Sequence, residues 1–162
     1  MSPNDELINE LEGAVREVRE AIERSAPDAW NRLAKSEQWP AAALARHIAQ
    51  GLKPTTASMM AVARGEGGEP ELTVEYLYAR ADRHAAHHAD VSKADVLALL
   101  AENATATEKL LSALSAGQLK ESGMLFGQTM TTVEVFQAVV LGHLRGHLRS
   151  FEKTVGLPTA TG

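Results

Sequence analysis

The sequence predicts an all-α fold, an up-and-down type four-helix bundle with an extra short helical segment. Three observations lead to this prediction. Apolar residues recur at spacings of three and four along several long segments, which is the period of an amphipathic helix. No alternating strand pattern of any length is present. Aromatic residues make up only 4% of a chain rich in alanine and leucine, which favours an aliphatic core. At 162 residues the chain fits a single domain, residues 1–162 with a core of about 5–156.

The first predicted helix covers residues 5–24. Its apolar side chains share one face, while Glu and Arg fill the other side. These apolar residues are Leu7, Ile8, Leu11, Ala14, Val15, Val18 and Ile22. Pro27 ends the helix, and a polar connection leads to Trp39 and Pro40.

The second predicted helix begins at Trp39 and Pro40, since proline suits the first turn of a helix. It extends to about residue 64. Pro54 lies inside it and should kink it, because proline removes a backbone donor and clashes with the carbonyl one turn back. The segment GEGGEP at 65–70 then breaks the helix.

Two helical segments are predicted before the last helix. The first covers residues 73–90. Ser92 opens the second as a capping box with Asp95, and this helix continues to about residue 116. We expect a glycine-containing loop over 117–130.

The last predicted helix begins at Thr131, which forms a capping box with Glu134. Gly156 and Pro158 end it, since glycine tolerates the left-handed C-terminal cap and proline cannot continue a helix. Four long helices plus one shorter segment, with several short links, favour an up-and-down type bundle.

Charge and composition argue against several classes of protein. The net charge is −5 and the pI is about 5.7, which argues against a nucleic-acid surface because phosphate binding usually shows as a basic patch. Nothing resembles a signal peptide and no apolar run could span a bilayer, so we expect a soluble, cytoplasmic protein that binds no membrane. The chain has no cysteine, which excludes disulfides and thiolate zinc sites. A metal must therefore bind through nitrogen and oxygen.

Two histidines lie four residues apart in the last predicted helix. His143 and His147 continue its apolar stripe and project the same way, close enough to share one ion. A buried imidazole without a partner is unfavourable, because its ring nitrogens lose their hydrogen bonds to water. Gly142 and Gly146 each cost about 0.8–1 kcal/mol relative to alanine in a helix interior, which suggests that something packs closely there or needs room. The other residues of the stripe are Val133, Phe136, Val140 and Phe151.

A third histidine lies on the apolar face of the second helix. His47 shares that face with Leu44, Ile48 and Gly51, so a bundle that joins the two helices would bring three imidazoles to one point. Three neutral histidines are a familiar catalytic set for a divalent ion such as Zn, Ni or Co, with a fourth position left to water or substrate. The alternative is that the inward imidazoles are core residues, hydrogen-bonded to carbonyls or carboxylates.

A rival cluster occurs in ADRHAAHHAD, which contains His84, His87 and His88. This segment is rich in alanine and charged residues, and it lacks a strong apolar stripe on which a site could be buried. We interpret it as a mostly solvated face without a functional metal site, where any metal binding would be adventitious.

The motifs WPAAALARH and GHLRGHLRS resemble those of the DinB/YfiT-like superfamily of metal-dependent four-helix bundle proteins. That superfamily also contains the N-terminal domain of the mycothiol-dependent maleylpyruvate isomerase. The resemblance covers about residues 5–156. Family members hold a divalent ion with one histidine of the second helix and an H-x-x-x-H pair of the last. The matching positions here are His47, His143 and His147.

The resemblance implies a metal-dependent and thiol-dependent transferase or isomerase. Its cofactors would be the divalent ion and a low-molecular-weight thiol, namely mycothiol, bacillithiol or glutathione. Its partners would be that thiol, an electrophilic substrate and a second copy of the chain in a homodimer. A cation at an open site makes a nucleophile of a bound thiol or water. Two alternatives stay open: a non-catalytic stress-response bundle that binds metal or a small ligand, and a structural bundle that acts through dimerisation.

The sequence does not single out a general base. Gln50, one turn beyond His47, and Gln137, on the last helix, are candidates for hydrogen bonds to the ligand histidines. Tyr76 and Tyr78 lie in the adjacent helical segment, and neither has a spacing that distinguishes it.

Overall fold

The computed structural model describes residues 1–66 and 91–158 of the protein. Its first long helix, α1 (Pro3–Arg24), begins at a capping box. The Ser2 hydroxyl accepts the backbone N–H of Asp5, and the Asp5 carboxylate accepts that of Ser2. Most of the predicted apolar stripe is buried. The helix ends at Ser25, and a single 3₁₀ turn (Pro27–Ala29) follows.

The second helix, α2 (Ala41–Ala63), begins after Pro40, which is its N-cap rather than its first helical residue. The helix passes through Pro54 without interruption. The hydroxyl of Thr55 donates to the carbonyl of Gly51 at 2.7 Å, which adds a side-chain hydrogen bond to the turn that contains the proline.

The third helix, α3 (Lys93–Ala113), begins where the sequence predicted. The hydroxyl of Ser92 accepts the backbone N–H of Asp95. A short helix, α4 (Ala116–Lys120), follows at once and is capped by Ser115.

The glycine-containing loop predicted over 117–130 instead contains part of α4 and a β-hairpin. Strands β1 (Ser122–Leu125) and β2 (Gln128–Thr131) pair in antiparallel register. Phe126 and Gly127 join them with φ angles of 52° and 77°. Two successive positive φ angles are typical of the type I′ turn, whose twist matches that of the strands. Neither four-residue strand alternates apolar and polar residues, so the pattern that predicts a strand is absent from the sequence.

The last helix has three parts: α5 (Thr132–Val135), a π-helical segment (Phe136–Leu141) and α6 (Gly142–Val155). The predicted capping box is present, since the Thr131 hydroxyl accepts the N–H of Glu134 and the Glu134 carboxylate accepts that of Thr131. Gly156 ends the helix with a φ of 78°, as predicted for a left-handed cap.

The long helices form a bundle in which α1 and α2 each pack against α3 and the last helix. At the start of α1, the side-chain amide of Asn4 donates to the carbonyls of Leu111 and Leu114, at the end of α3. These two helices are therefore antiparallel.

Helices α2 and α3 run in the same direction. The side chain of Asn103 donates to the carbonyl of Ala49. About two turns further along α2 and one turn further along α3, the hydroxyls of Thr56 and Thr107 lie 2.9 Å apart. The predicted all-α four-helix bundle is confirmed, and within it this parallel pair departs from simple alternation of direction.

The core is aliphatic, as the composition predicted. Phe136 and Phe151 are its largest fully buried side chains, and the others are mainly leucine, isoleucine and methionine. Trp30 lies edge-on to Phe151, with ring centroids 6.3 Å apart, and donates its indole N–H to the carbonyl of Val91 at 2.8 Å. A buried indole needs such a partner.

Two further predictions concern the helical segment after α2 and the lack of a membrane-spanning helix. The helical segment predicted over 73–90, with Tyr76, Tyr78, His84, His87 and His88, lies outside the described residues. Among the helices of residues 1–66 and 91–158, none combines the length and the apolar content that a membrane span requires.

Candidate metal centre

Three imidazoles meet where α2 faces α6. His47 comes from α2, and His143 and His147 come from successive turns of α6. The Nε2 atoms of His47 and His147 lie 3.3 Å apart, and the three ring centroids are 4.6, 4.9 and 4.9 Å from one another. Gly51, one turn after His47, lies against His143, so the two helices are antiparallel.

The spacing of the ring nitrogens fits one divalent ion. One nitrogen from each histidine can be chosen so that all three lie within 4.8 Å of one another. Zinc binds imidazole nitrogen at about 2.0–2.1 Å, so two nitrogens of a tetrahedral site lie about 3.3 Å apart. The nitrogens of His47 and His147 already have this separation. A three-nitrogen set leaves a fourth position of the ion for water or a ligand.

His143 lies against the backbone of α2. Its Nε2 is 3.2 Å from each of the carbonyl oxygens of His47 and Ile48, so we assign a proton to Nε2, which donates to them. The lone pair that a cation needs is then on Nδ1. Gly51 makes this contact possible, because a Cβ there would lie 2.0 Å from Nε2 of His143. No side chain fits between the imidazole and the helix.

Burial keeps the His143 imidazole neutral. It lowers the pKa of His143 to about 4, with a further contribution from nearby His147, although the carbonyls of Ile48 and His47 oppose the shift. An imidazole with this pKa is unprotonated at neutral pH, and the unprotonated form is the one that binds a metal.

A carboxylate lies on the far side of His147. The Oε1 atom of Glu37 is 3.7 Å from Nδ1 of His147, and its Oε2 accepts the hydroxyls of Ser36 and Ser150 at 2.5 and 2.6 Å. Burial raises the pKa of Glu37, but the hydrogen bonds from Ser150 and Ser36 outweigh it and leave the pKa below its usual value. Burial lowers the pKa of His147, and Glu37 offsets part of that shift. The carboxylate thus faces Nδ1, while Nε2 of the same ring faces His47.

A short loop between α1 and α2 carries two groups that contact the histidines. Glu37 faces His147, and the Trp39 ring lies edge-on to His47, with centroids 5.2 Å apart and an interplanar angle of 73°. Between them Gln38 adopts a φ of 61°, a left-handed conformation that is uncommon for a residue other than glycine. Strained backbone of this kind is concentrated at functional sites.

The structure places the two α6 histidines at the edge of the buried stripe rather than within it. Leu144 and Leu148 occupy the fully buried positions, while His143 and His147 are partly exposed. The prediction that the imidazoles continue the stripe is therefore only partly right. Neither residue is fully shielded from solvent, and the side chain of His147 is 30% exposed.

The close packing that the sequence suggested at Gly142 and Gly146 lies elsewhere. A Cβ at Gly146 would meet nothing within 4 Å, and a Cβ at Gly142 would meet only a backbone carbonyl at 3.8 Å. The tight approach is at Gly51, on the opposite helix. Helix-interior glycines cost stability wherever they occur, so the sequence could not show which one touches an imidazole.

The two glutamines proposed as partners of the ligand histidines lie near the bundle surface. Gln50 is half-buried and Gln137 is exposed. The Nε2 of His143 lies against the carbonyls of His47 and Ile48 rather than against either side chain. Gln137 instead lines an open depression between β2 and the π-helical segment, with Gln128, Thr129, Met130, Glu134 and Ala138.

Sequence reasoning missed the residues around Glu37. Ser150 follows His147 by three residues on the same helix, a spacing that puts two side chains on one face and could have drawn attention to it. Glu37 carries no such signal, because it comes from a connection whose path depends on the packed bundle.

Comparison with known proteins gives a consistent picture. The sequence profile of the DinB superfamily matches residues 10–151. No curated protein matches the chain by sequence. Among solved structures, YfiT from Bacillus subtilis, a probable metal-dependent hydrolase with an unusual four-helix bundle topology, is similar with a TM-score of 0.70 at 17% identity. The similarity covers 98% of this chain and 91% of YfiT.

Two structures of the mycothiol-dependent maleylpyruvate isomerase are also similar. A mutant of that enzyme has a TM-score of 0.72 at 11% identity, and a second structure has a TM-score of 0.66 at 12% identity. Both similarities cover 98% of this chain but only 62% of the isomerase. At these identities the likeness shows the fold. The resemblance inferred from the two histidine motifs is confirmed, and because the profile covers most of its length, the chain belongs to the DinB superfamily.

Proposed function

We propose that this protein holds one divalent metal ion with His47, His143 and His147 and is a metal-dependent, thiol-dependent transferase or isomerase. The observation that supports it is the convergence of the three imidazoles, with ligand nitrogens within 4.8 Å of one another. Two of these nitrogens already face each other at 3.3 Å. Zinc, nickel and cobalt all suit a three-histidine set.

The residues around the centre hold two of the imidazoles in fixed orientations. His143 is anchored to α2 by its Nε2, and Glu37 faces the Nδ1 of His147. A bound divalent ion would lower the pKa of a thiol or water in its open position and so supply a nucleophile at neutral pH. The chain has no cysteine, so a thiol nucleophile must come from a small molecule.

The thiol and the reaction class are supported by similarity in fold. One structural relative is a mycothiol-dependent isomerase, and another is a probable metal-dependent hydrolase. We therefore propose mycothiol, bacillithiol or glutathione as the thiol and a small electrophile as its substrate. Water in place of the thiol would make the same centre hydrolytic.

The metal proposal is tested by elemental analysis of tag-free protein after reconstitution with zinc or nickel. We expect one ion per chain in the wild type and loss of that ion in His143→Ala. His88→Ala is the matched control, since it removes a histidine of the rival cluster (His84, His87 and His88) and should leave the number of ions per chain unchanged. An ion that persists in His143→Ala but disappears in His88→Ala would contradict the proposed site.

The catalytic proposal is tested separately on the metal-loaded protein. Each thiol is mixed with a chromogenic electrophile, and conjugate formation is followed with the wild type, the metal-free protein and His143→Ala. Turnover with one thiol, absent from both controls, is the expected result. A stoichiometric ion without turnover of any thiol would instead favour a non-catalytic binding protein.

A further inference from the structure

We propose that Glu37 is a positioning residue for this metal centre: its carboxylate holds the Nδ1–H of His147 and so presents the Nε2 of that ring to the ion. The inference rests on the proposed function. On one side of the His147 ring, Oε1 of Glu37 lies 3.7 Å from Nδ1. On the other side, Nε2 lies 3.3 Å from Nε2 of His47. An imidazole between a carboxylate and a metal-binding point has its tautomer and its ring orientation set by the carboxylate.

The carboxylate is itself held in place. Its Oε2 accepts the hydroxyls of Ser36 at 2.5 Å and Ser150 at 2.6 Å, and the two hydroxyls are 2.9 Å apart. With Oε2 occupied, Oε1 is the oxygen that faces the imidazole. Ser150 and His147 are neighbours on one face of α6, so the hydroxyl that orients the carboxylate and the imidazole that it orients are fixed to the same helix.

The backbone of the loop also directs the carboxylate inward. Gln38 has a φ of 61°, and its N–H donates to the carbonyl of Ala34 at 2.8 Å. The N–H of Ala34 in turn donates to the carbonyl of Trp39 at 2.8 Å. This closed turn sets Glu37 on His147 and Trp39 on His47, so one loop contacts two of the three imidazoles.

The partial burial of Glu37 also fits this role. The side chain of Glu37 is only 16% exposed, and withdrawing a carboxylate from water is unfavourable unless its oxygens find partners. Both serines bond to Oε2. Oε1 lies 3.7 Å from Nδ1 of His147, which is beyond the length of a direct hydrogen bond. Contacts of this kind are often long before a ligand binds and shorten when it does.

The experiment compares zinc affinity and the tautomer of His147 in the full-length protein. Zinc dissociation constants are measured by competition with a chelator for the wild type, Glu37→Ala, Glu37→Gln and Ser150→Ala. Glu102→Gln, which changes an exposed carboxylate on α3, is the matched control. We expect Glu37→Ala to weaken zinc binding about 10–100-fold, the usual effect of removing the hydrogen-bond partner of a ligand histidine. Glu37→Gln keeps an acceptor oxygen and should lose less.

The tautomer is read by ¹⁵N NMR of histidine-labelled, metal-free protein. In the wild type we expect His147 to carry its proton on Nδ1, and in Glu37→Ala to show a mixture of tautomers, while Glu102→Gln matches the wild type. A variant that only loosened the loop would change the melting temperature without this signature. Circular dichroism checks that each variant is folded.

The outcomes separate the two proposals. Wild-type zinc affinity and tautomer in a folded Glu37→Ala protein would overturn the role of Glu37 and leave the metal proposal intact. Failure of the wild type to bind zinc would overturn both. Weaker binding in Glu37→Ala, with partial recovery in Glu37→Gln and the expected change of tautomer, would support the positioning role.

Discussion

Replacing Gly51 with alanine is the sharpest test of the geometry at the candidate metal centre. The new Cβ would lie 2.0 Å from Nε2, 2.2 Å from Cε1 and 2.8 Å from Cδ2 of His143. Contacts below 3 Å cannot be accommodated, so the imidazole must move off the carbonyls of His47 and Ile48. We expect the ring to leave the position from which it can share an ion with the other two histidines.

The magnitude follows from two opposing effects. Alanine is favoured over glycine inside a helix by about 0.8–1 kcal/mol, whereas inserting a methyl group into a packed site costs about 1–3 kcal/mol. The net loss of stability is therefore about 0–2 kcal/mol, or a fall in melting temperature of no more than about 8 °C for a chain of this size. Displacing a ligand imidazole should weaken zinc binding by at least about tenfold, since losing even a partner of such a ligand has that effect.

The assay combines a zinc titration with thermal unfolding of the metal-free protein. Gly146→Ala is the matched control, because that glycine lies between His143 and His147 and a Cβ there meets nothing within 4 Å. It should raise the melting temperature by about 2–4 °C and leave zinc affinity unchanged. In the double variant Gly51→Ala/His143→Ala the ring is gone, so the alanine at position 51 should no longer destabilise the protein.

One result would refute the reasoning. If Gly51→Ala binds zinc as the wild type does and melts at a higher temperature, as Gly146→Ala should, then His143 does not lie against α2 in the metal-binding state. The bonds from its Nε2 to the backbone would then play no part in the centre.

Two further predictions concern pH and helix capping. The metal-free protein should lose stability as pH falls from about 6.5 towards 4, because burial lowers the pKa of His143 in the folded state to about 4 and the unfolded chain then binds the proton more readily. The contribution of His143 to this loss should be about 2 kcal/mol between pH 7 and pH 5, so urea unfolding of His143→Gln should show a loss smaller by that amount; an equal loss in both proteins would assign the effect to other groups. Thr131→Ala removes the hydroxyl that caps the helix carrying both α6 histidines and should cost about 1 kcal/mol, seen as a melting temperature about 2–4 °C lower. Its zinc affinity should match that of the wild type, and a weakened affinity would mean that the cap also positions the ligands.

Several features were readable in the sequence because they depend on neighbouring residues. The capping box at Thr131 and the N-cap at Ser92, which forms only one half of the predicted box, are short-range hydrogen bonds between residues three apart, so their residue types predict them. The left-handed cap at Gly156 follows from one residue type. The hairpin was missed because its four-residue strands carry no hydrophobic alternation.

The sequence by itself determined the all-α bundle, the lack of a thiol in the chain and the identity of the three histidines that come together. Helical periodicity is a local property, and the four-residue spacing of His143 and His147 places them on one face whatever the rest of the chain does. The prediction that His47 joins them came from its place on the apolar face of the second helix and from the family resemblance.

Only the tertiary structure decided what surrounds those histidines. It showed that an imidazole packs against Gly51 rather than against Gly142 or Gly146. It also showed that Glu37 accepts a hydrogen bond from Ser150, 113 residues away in sequence. Such contacts depend on the direction and rotation of packed helices and on the path of a loop. The physical reason is that a periodic pattern specifies which face of a helix is buried, but the partner of each side chain on that face is set only when the helices pack.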